Sequence, residues 1–169
     1  GTTWNYYDAR TGTLARSLSN ARSARMIDGT NLAYGASGST FYAWDLSKVV
    51  GNNWTTGIIW EMEKPEAIAI ARGVQFFGIS ADLSTVVLYN YNQFWGYSAE
   101  DGTALWDLTL DYPVATNEEF DLYGVNKFIV FDPTYSRFHC YSMLTGAELW
   151  VSDSVVENSP WASTWTVYN

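Results

Sequence analysis

This 169-residue sequence is poor in the side chains that usually announce chemistry: it has one cysteine, Cys140, and one histidine, His139. A lone cysteine excludes an internal disulfide, and a lone histidine cannot build a His cluster around a metal. Cys140 reads as a small apolar core residue. Basic residues are also scarce, nine Lys and Arg against eighteen Asp and Glu, and the resulting net charge of −9 would repel nucleic-acid phosphates. Arg10, Arg16, Arg22 and Arg25 are the only basic cluster and read as solvated charges. No apolar run reaches the length of a membrane span, and the first residues have no signal-peptide core. No segment carries an amphipathic helical period. A Gly-x-Ser-x-Gly elbow, a phosphate-cradling loop and paired zinc-ligand spacings are all missing. Glu118, Glu119 and Asp121 lack the alternating oxygen ligands of a calcium loop, while Asp8, Asp45 and Asp82 suit turn capping. No catalytic, cofactor or metal site is expected from these residues.

What the chain has is aromatic residues, nine Trp and twelve Tyr among them, and a repeated phrase. One copy runs from Gly96 through Tyr97, Ser98 and Gly102 to Leu105-Trp106; another runs from Cys140 through Tyr141, Ser142 and Gly146 to Leu149-Trp150. An earlier copy, Tyr6-Tyr7-Asp8-Ala9-Arg10-Thr11-Gly12, places Arg16 where the tryptophan would stand. The remaining copy opens at Ala43-Trp44-Asp45 and closes at Gly57-Ile58-Ile59-Trp60. The four glycines recur at spacings of 45, 45 and 44 residues. The opening aromatics (Tyr7, Trp44, Tyr97, Tyr141) are spaced less evenly, at 37, 53 and 44, because the second copy carries an inserted loop, Ser47 to Thr55. A period near 45 belongs to stacked supersecondary units.

The phrase reads as a β-hairpin. An aromatic strand leads into polar residues and a glycine that accepts positive φ, and an apolar strand follows. The expected pairs are Thr40–Trp44 with Ile58–Met62, Gln93–Tyr97 with Ala104–Leu110, and Arg137–Tyr141 with Ala147–Val151. Two more strand-like runs precede each pair: Ala24–Ile27 and Asn31–Gly35, Ala67–Ser80 and Thr85–Asn90, and Phe120–Val125 and Lys127–Phe131. Four strands per unit of this length is the proportion of a propeller blade. The expected fold class is therefore all-β, a β-propeller of four-stranded antiparallel blades. Its repeats fall approximately at 1–20, 21–64, 65–111 and 112–153, with the start of a further blade at 154–169. The sequence opens with the last two strands of a blade and ends with what reads as a first strand, Ser163–Tyr168. We expect an arc of a larger ring, with closure of a small four-bladed ring as the alternative.

The pattern of small residue, Thr-Gly or Asp-Gly turn and closing tryptophan resembles the tryptophan-docking motif of the pyrroloquinoline-quinone (PQQ)-like propellers, the quinoprotein alcohol dehydrogenase-like family. The resemblance covers essentially the whole chain. It implies that Trp60, Trp106 and Trp150 girdle the ring and that Gly57, Gly102 and Gly146 are the surfaces they stack on. A buried indole also needs a carbonyl for its N–H. Active quinoproteins of this family hold PQQ near vicinal cysteines, with calcium and an Asp base. One cysteine cannot supply that pair, so neither PQQ nor calcium is expected. The reading is a non-catalytic scaffold for protein or glycan binding in an extracellular or cell-envelope protein. Alternatives are a segment of a PQQ-dependent dehydrogenase, and a structural cell-surface or filament-forming module. Expected partners are a protein or a glycan, and further propeller blades from the same or another chain. The inserted loop offers a candidate ligand contact at Trp54, beside Asn53 of the glycosylation sequon Asn53-Trp54-Thr55; the competing reading is that Trp54 folds back onto its own blade.

Overall fold

A computed structural model describes residues 2–66, 73–112 and 126–154. The expected strands at 120–125 and 163–168, part of the run at 67–80, and the acidic residues Glu118, Glu119 and Asp121 lie outside the described residues. Thirteen described strands form four antiparallel sheets, each built from consecutive strands. The first sheet pairs β1 (Thr2–Tyr7) with β2 (Leu14–Ala21). The second runs β3 (Arg25–Met26), β4 (Leu32–Ser37), β5 (Thr40–Asp45), β6 (Ile58–Glu63). The third runs β7 (Gln75–Ile79), β8 (Thr85–Asn90), β9 (Gln93–Ser98), β10 (Ala104–Thr109). The fourth holds β11 (Lys127–Asp132), β12 (Arg137–Ser142) and β13 (Glu148–Val151).

Strand alternation decides which seam each residue fills. On β5, Phe41 and Ala43 enter the core between the second and third sheets, whereas Tyr42 and Trp44 enter the core between the first and second. On β8, Val86 and Leu88 face the second sheet and Val87 faces the fourth. These central strands have apolar cover on both faces, which is why β8 reads as a continuous apolar run rather than an alternating one. The strands β6, β10 and β13 are edge strands and far more exposed.

The outer hairpin is the same in three of the sheets. Ser98 N–H donates to Thr103 O at 2.8 Å and Gly102 N–H to Ser98 O at 2.9 Å, with Gly102 at φ +75°. The bonds recur at Ser142, Ala147 and Gly146 and at Asp8, Thr13 and Gly12. A bulge follows each turn, and beyond it Trp106 pairs with Gly96, Trp150 with Cys140 and Arg16 with Tyr6. In the second sheet Trp60 pairs with Ala43 after the same bulge. The bulge shifts the register by one residue and so turns these side chains toward the next sheet.

The second hairpin departs from the sequence expectation at Gly57. Its φ is not positive; the residue ends a short 3-10 turn, Trp54–Gly57, within the inserted segment. A Cβ on Gly57 would meet Trp44 Nε1 at 2.5 Å and Val49 Cγ2 at 2.7 Å. Gly57 is thus a site of close approach for Trp44 in its own sheet, not a stacking surface for a tryptophan of a neighbouring one. The insertion removed the tight turn that would have placed it there.

Candidate functional site

Trp60 reaches from the second sheet to the third: its Nε1 donates to Ala99 O at 3.0 Å, and its ring lies 2.8 Å from where a Gly102 Cβ would stand. Trp106 repeats this from the third sheet to the fourth, donating to Met143 O at 3.0 Å and lying 2.7 Å from a would-be Gly146 Cβ. A Cβ at Gly96 would also strike the Trp106 indole, so this ring is held between a glycine of its own sheet and one of the next. In both seams the accepting carbonyl lies three residues before the glycine. Trp150, the equivalent residue of the fourth sheet, is 42% exposed.

The seam between the first and second sheets is built otherwise. Arg16 takes the tryptophan position, and its guanidinium donates to Val49 O at 3.0 Å and to Gly51 O. Ser19 N–H donates to Asn52 O at 2.8 Å, and Asn20 Nδ2 approaches Asn53 Oδ1 at 3.5 Å. The inserted loop is therefore the clamp between two sheets. This corrects the expectation that Trp54 offers a ligand contact. Trp54 is fully buried, stacked on Trp44 at 5.2 Å and 10°, and edge-on to Tyr42 and Trp4. Trp54 O accepts the Trp44 Nε1–H at 2.7 Å, while the Trp54 N–H has no partner among the described residues. Asn53 stays exposed, but its Oδ1 caps the 3-10 turn by accepting from Thr55 N and Oγ1. A large apolar ring beside Leu18, Tyr42 and Val49 is more stable inside that seam than in water, so the loop folds back.

A further surface feature lies on the opposite edges of the sheets, where β4 and β7 bring the second and third sheets together. An open cavity of about 430 Å³ is lined there by Arg25, Met26, Ile27 and Asp28, and by Ile79, Ser80, Ala81 and Leu83. Two apolar side chains at its rim face solvent, Met26 at 37% and Leu83 at 38% exposure. Leu83 has φ +59°, a left-handed conformation unfavourable for a bulky residue. Its turn is firmly braced. Leu83 N–H donates to Ser80 O, and Asp82 Oδ1 accepts from Ser80 Oγ at 2.6 Å, Ser84 Oγ at 2.8 Å and Ser84 N at 3.1 Å. Those hydroxyl and amide donors hold the Asp82 carboxyl below its usual range. Asn126 reaches across from the fourth sheet and accepts from Ala81 N at 2.6 Å.

A polar cluster lies on the fourth sheet. His139 Nδ1 is 2.7 Å from Glu148 Oε1, and Nε2 is 3.8 Å from Asp132 Oδ2. Tyr141 OH donates to the same Glu148 oxygen at 3.2 Å and is 3.0 Å from Tyr112 OH. Burial pushes the Tyr141 phenol up to about 12 and raises Tyr112 as well, so both hydroxyls remain proton donors near neutrality. Cys140 points to the other face and is buried, and burial raises its thiol. Among the described residues no group of three or more His, Cys, Asp or Glu is arranged to hold a metal ion.

No family model matches the chain, and no characterised protein sequence matches it. Solved structures do. A chain in the mitotic checkpoint complex is 12% identical and superposes with a TM-score of 0.55 over 90% of this chain and 45% of its own. BamB from Moraxella catarrhalis is 14% identical, with a TM-score of 0.49 over 84% of this chain and 41% of its own. A europium-containing methanol dehydrogenase is 17% identical, with a TM-score of 0.41 over 72% of this chain and 23% of its own. The chain spans less than half the length of these neighbours. At such identities the likeness concerns the fold: the chain has an all-β, β-propeller fold whose blades are four-stranded antiparallel sheets. No helix among the described residues is long and apolar enough to cross a membrane.

Proposed function

We propose that this chain is a PQQ-like propeller acting as a non-catalytic binding scaffold in an extracellular or cell-envelope protein. Its binding site is the cavity between β3 and β7, and its ligand is a segment of a partner protein. The observation that carries this reading is Leu83. A bulky apolar side chain, 38% exposed at the cavity rim, sits on a left-handed backbone in a turn braced by Asp82 and Asn126. Backbone strain of this kind costs about 1–3 kcal/mol and persists where the surroundings fix it, often at binding sites. Beside it lie Met26 and Ile27, with Arg25 and Asp28 supplying one charge of each sign, a lining suited to an apolar side chain flanked by peptide groups. With Trp54 buried, the aromatic surface that favoured a glycan is gone. The described cavity also suits PQQ poorly: a tricarboxylate would meet one arginine, Asp28 and five apolar side chains.

Selection of a displayed random-peptide library against the protein tests this. Selected peptides should bind the native protein and lose at least about tenfold in affinity to Leu83→Asn. Asn tolerates the left-handed conformation, so the turn survives while the apolar contact is removed. A selection without binders, binders indifferent to Leu83→Asn, or recognition confined to a glycan array would overturn the proposal.

A further inference from the structure

The seams contain a rule, and the two ends of the described sheets are its unmatched halves. In each regular seam an edge-strand tryptophan of one sheet lies against the positive-φ glycine of the next sheet's outer turn. Its Nε1 donates to the carbonyl three residues before that glycine. Gly102 is covered by Trp60 and Gly146 by Trp106. The remaining tryptophan of this set is Trp150, exposed on β13 and flanked by the exposed Leu149 and Val151. The remaining turn of this set is at Gly12. It has the same left-handed φ (+69°) and the same Gly12 N to Asp8 O and Asp8 N to Thr13 O hydrogen bonds. Among the described residues nothing lies within 4 Å of a would-be Gly12 Cβ. Ala9 stands three residues before Gly12, where Ala99 and Met143 stand in the occupied turns.

We propose that Trp150 of one copy docks on the Ala9–Gly12 turn of a second copy, its Nε1 donating to Ala9 O. The copies thus associate head to tail through a contact that repeats the internal seams. Two observations favour a second copy as the occupant. The seam geometry is already realised twice within the chain and needs no new surface. Charge is complementary: Arg10 lies exposed beside Gly12, while Glu148 and Asp153 lie exposed about Trp150. The contact is heterologous. It closes into a ring if the rotation between copies allows and otherwise grows into a filament. This inference is independent of the cavity at β3 and β7.

Native mass spectrometry and sedimentation of the purified chain test it. The native protein should appear at twice the 19.0 kDa chain mass or a higher multiple. Trp150→Ala and Gly12→Ala should each weaken association by roughly thirtyfold or more, as expected for removal of a central interface tryptophan or its seat. Circular dichroism should show both variants folded. Mixing the two should restore one intact contact per pair and so part of the association, because the Gly12→Ala chain still presents Trp150 and the Trp150→Ala chain still presents Gly12. Multiples above two with the same sensitivities would support the contact and show that two copies do not close. A native protein that stays at one chain mass at high concentration would overturn the proposal, as would assembly insensitive to both substitutions. A single-chain species that both substitutions destabilise would overturn it too, assigning Trp150 to its own chain's Gly12 instead.

Discussion

The seam between the first and second sheets and the two that follow it perform the same task with different chemistry. In the regular seams a flat indole rests on a glycine and donates one hydrogen bond to a carbonyl. In the first seam a guanidinium makes the carbonyl contacts, and a tryptophan from the inserted loop supplies the apolar bulk. The two functions united in Trp60 or Trp106 are divided there between Arg16 and Trp54. The reason is local. Tyr6, not a small residue, pairs with Arg16, so a ring could not lie flat over its own sheet as Trp106 lies over Gly96. The insertion also moves the would-be seat Gly57 under Trp44. A repeat can thus lose its defining residues while the interface survives, provided another segment brings back both the buried area and the donor.

The sharpest way to break this comparison is to remove the transferred bulk. Trp54→Ala should destabilise the fold by about 3–5 kcal/mol, the range for deleting a buried aromatic, read from denaturant unfolding. Trp106→Ala should cost less, because its ring is only partly buried. Trp54→Phe should lose little, since it keeps ring stacking and removes a buried N–H that has no partner among the described residues. If Trp54→Ala were milder than Trp106→Ala, the first seam would not depend on the loop as described.

The next prediction isolates the regular seam. A Cβ at Gly146 must adopt a left-handed backbone and also enter the face of Trp106. Gly146→Ala should therefore cost about 2–4 kcal/mol, adding overpacking to the backbone term. Gly29 has a similar φ, +72°, with nothing described within 4 Å of a would-be Cβ, so Gly29→Ala reports the backbone term alone, about 1–2 kcal/mol. Equal losses at the two positions would mean that Trp106 shifts freely and that the glycine does not seat it.

Much of this architecture was legible in the sequence, for a physical reason. Hairpin turns and strand alternation are local, so the strands from Thr40, Thr85, Gln93, Lys127 and Arg137 could be placed to within a residue or two of those observed. The departures come from contacts distant in sequence. Nothing adjacent to Trp54 shows that Trp4, Leu18 and Trp44 will gather around it, so the sequence leaves open both an exposed contact and a ring folded back onto its own sheet. Arg16 was visible as a missing tryptophan, but its carbonyl partners lie more than thirty residues away. The His139–Glu148 pair depends on β12 meeting β13 beyond a bulge, and the Leu83 turn owes part of its rigidity to Asn126 in another sheet. Asn53-Trp54-Thr55 did carry one usable local signal, an Asx cap over a short helical turn.

The smallest expected effect bears on Arg16 itself. Its side chain is partly exposed, so replacing it with Ala removes hydrogen bonds that water can largely replace, and the loss should be about 1–2 kcal/mol. The informative variant is Arg16→Trp, which writes the regular residue into the irregular seam. The introduced indole would have Tyr6 beneath it, and Gly57, which lacks a positive φ, is already covered by Trp44. Its N–H could reach one carbonyl at most where Arg16 reaches two. Arg16→Trp should therefore be no more stable than Arg16→Ala by thermal and denaturant unfolding. A gain over the native protein would show the opposite: the first seam would be a regular one missing its tryptophan, and the inserted loop an ornament rather than a replacement.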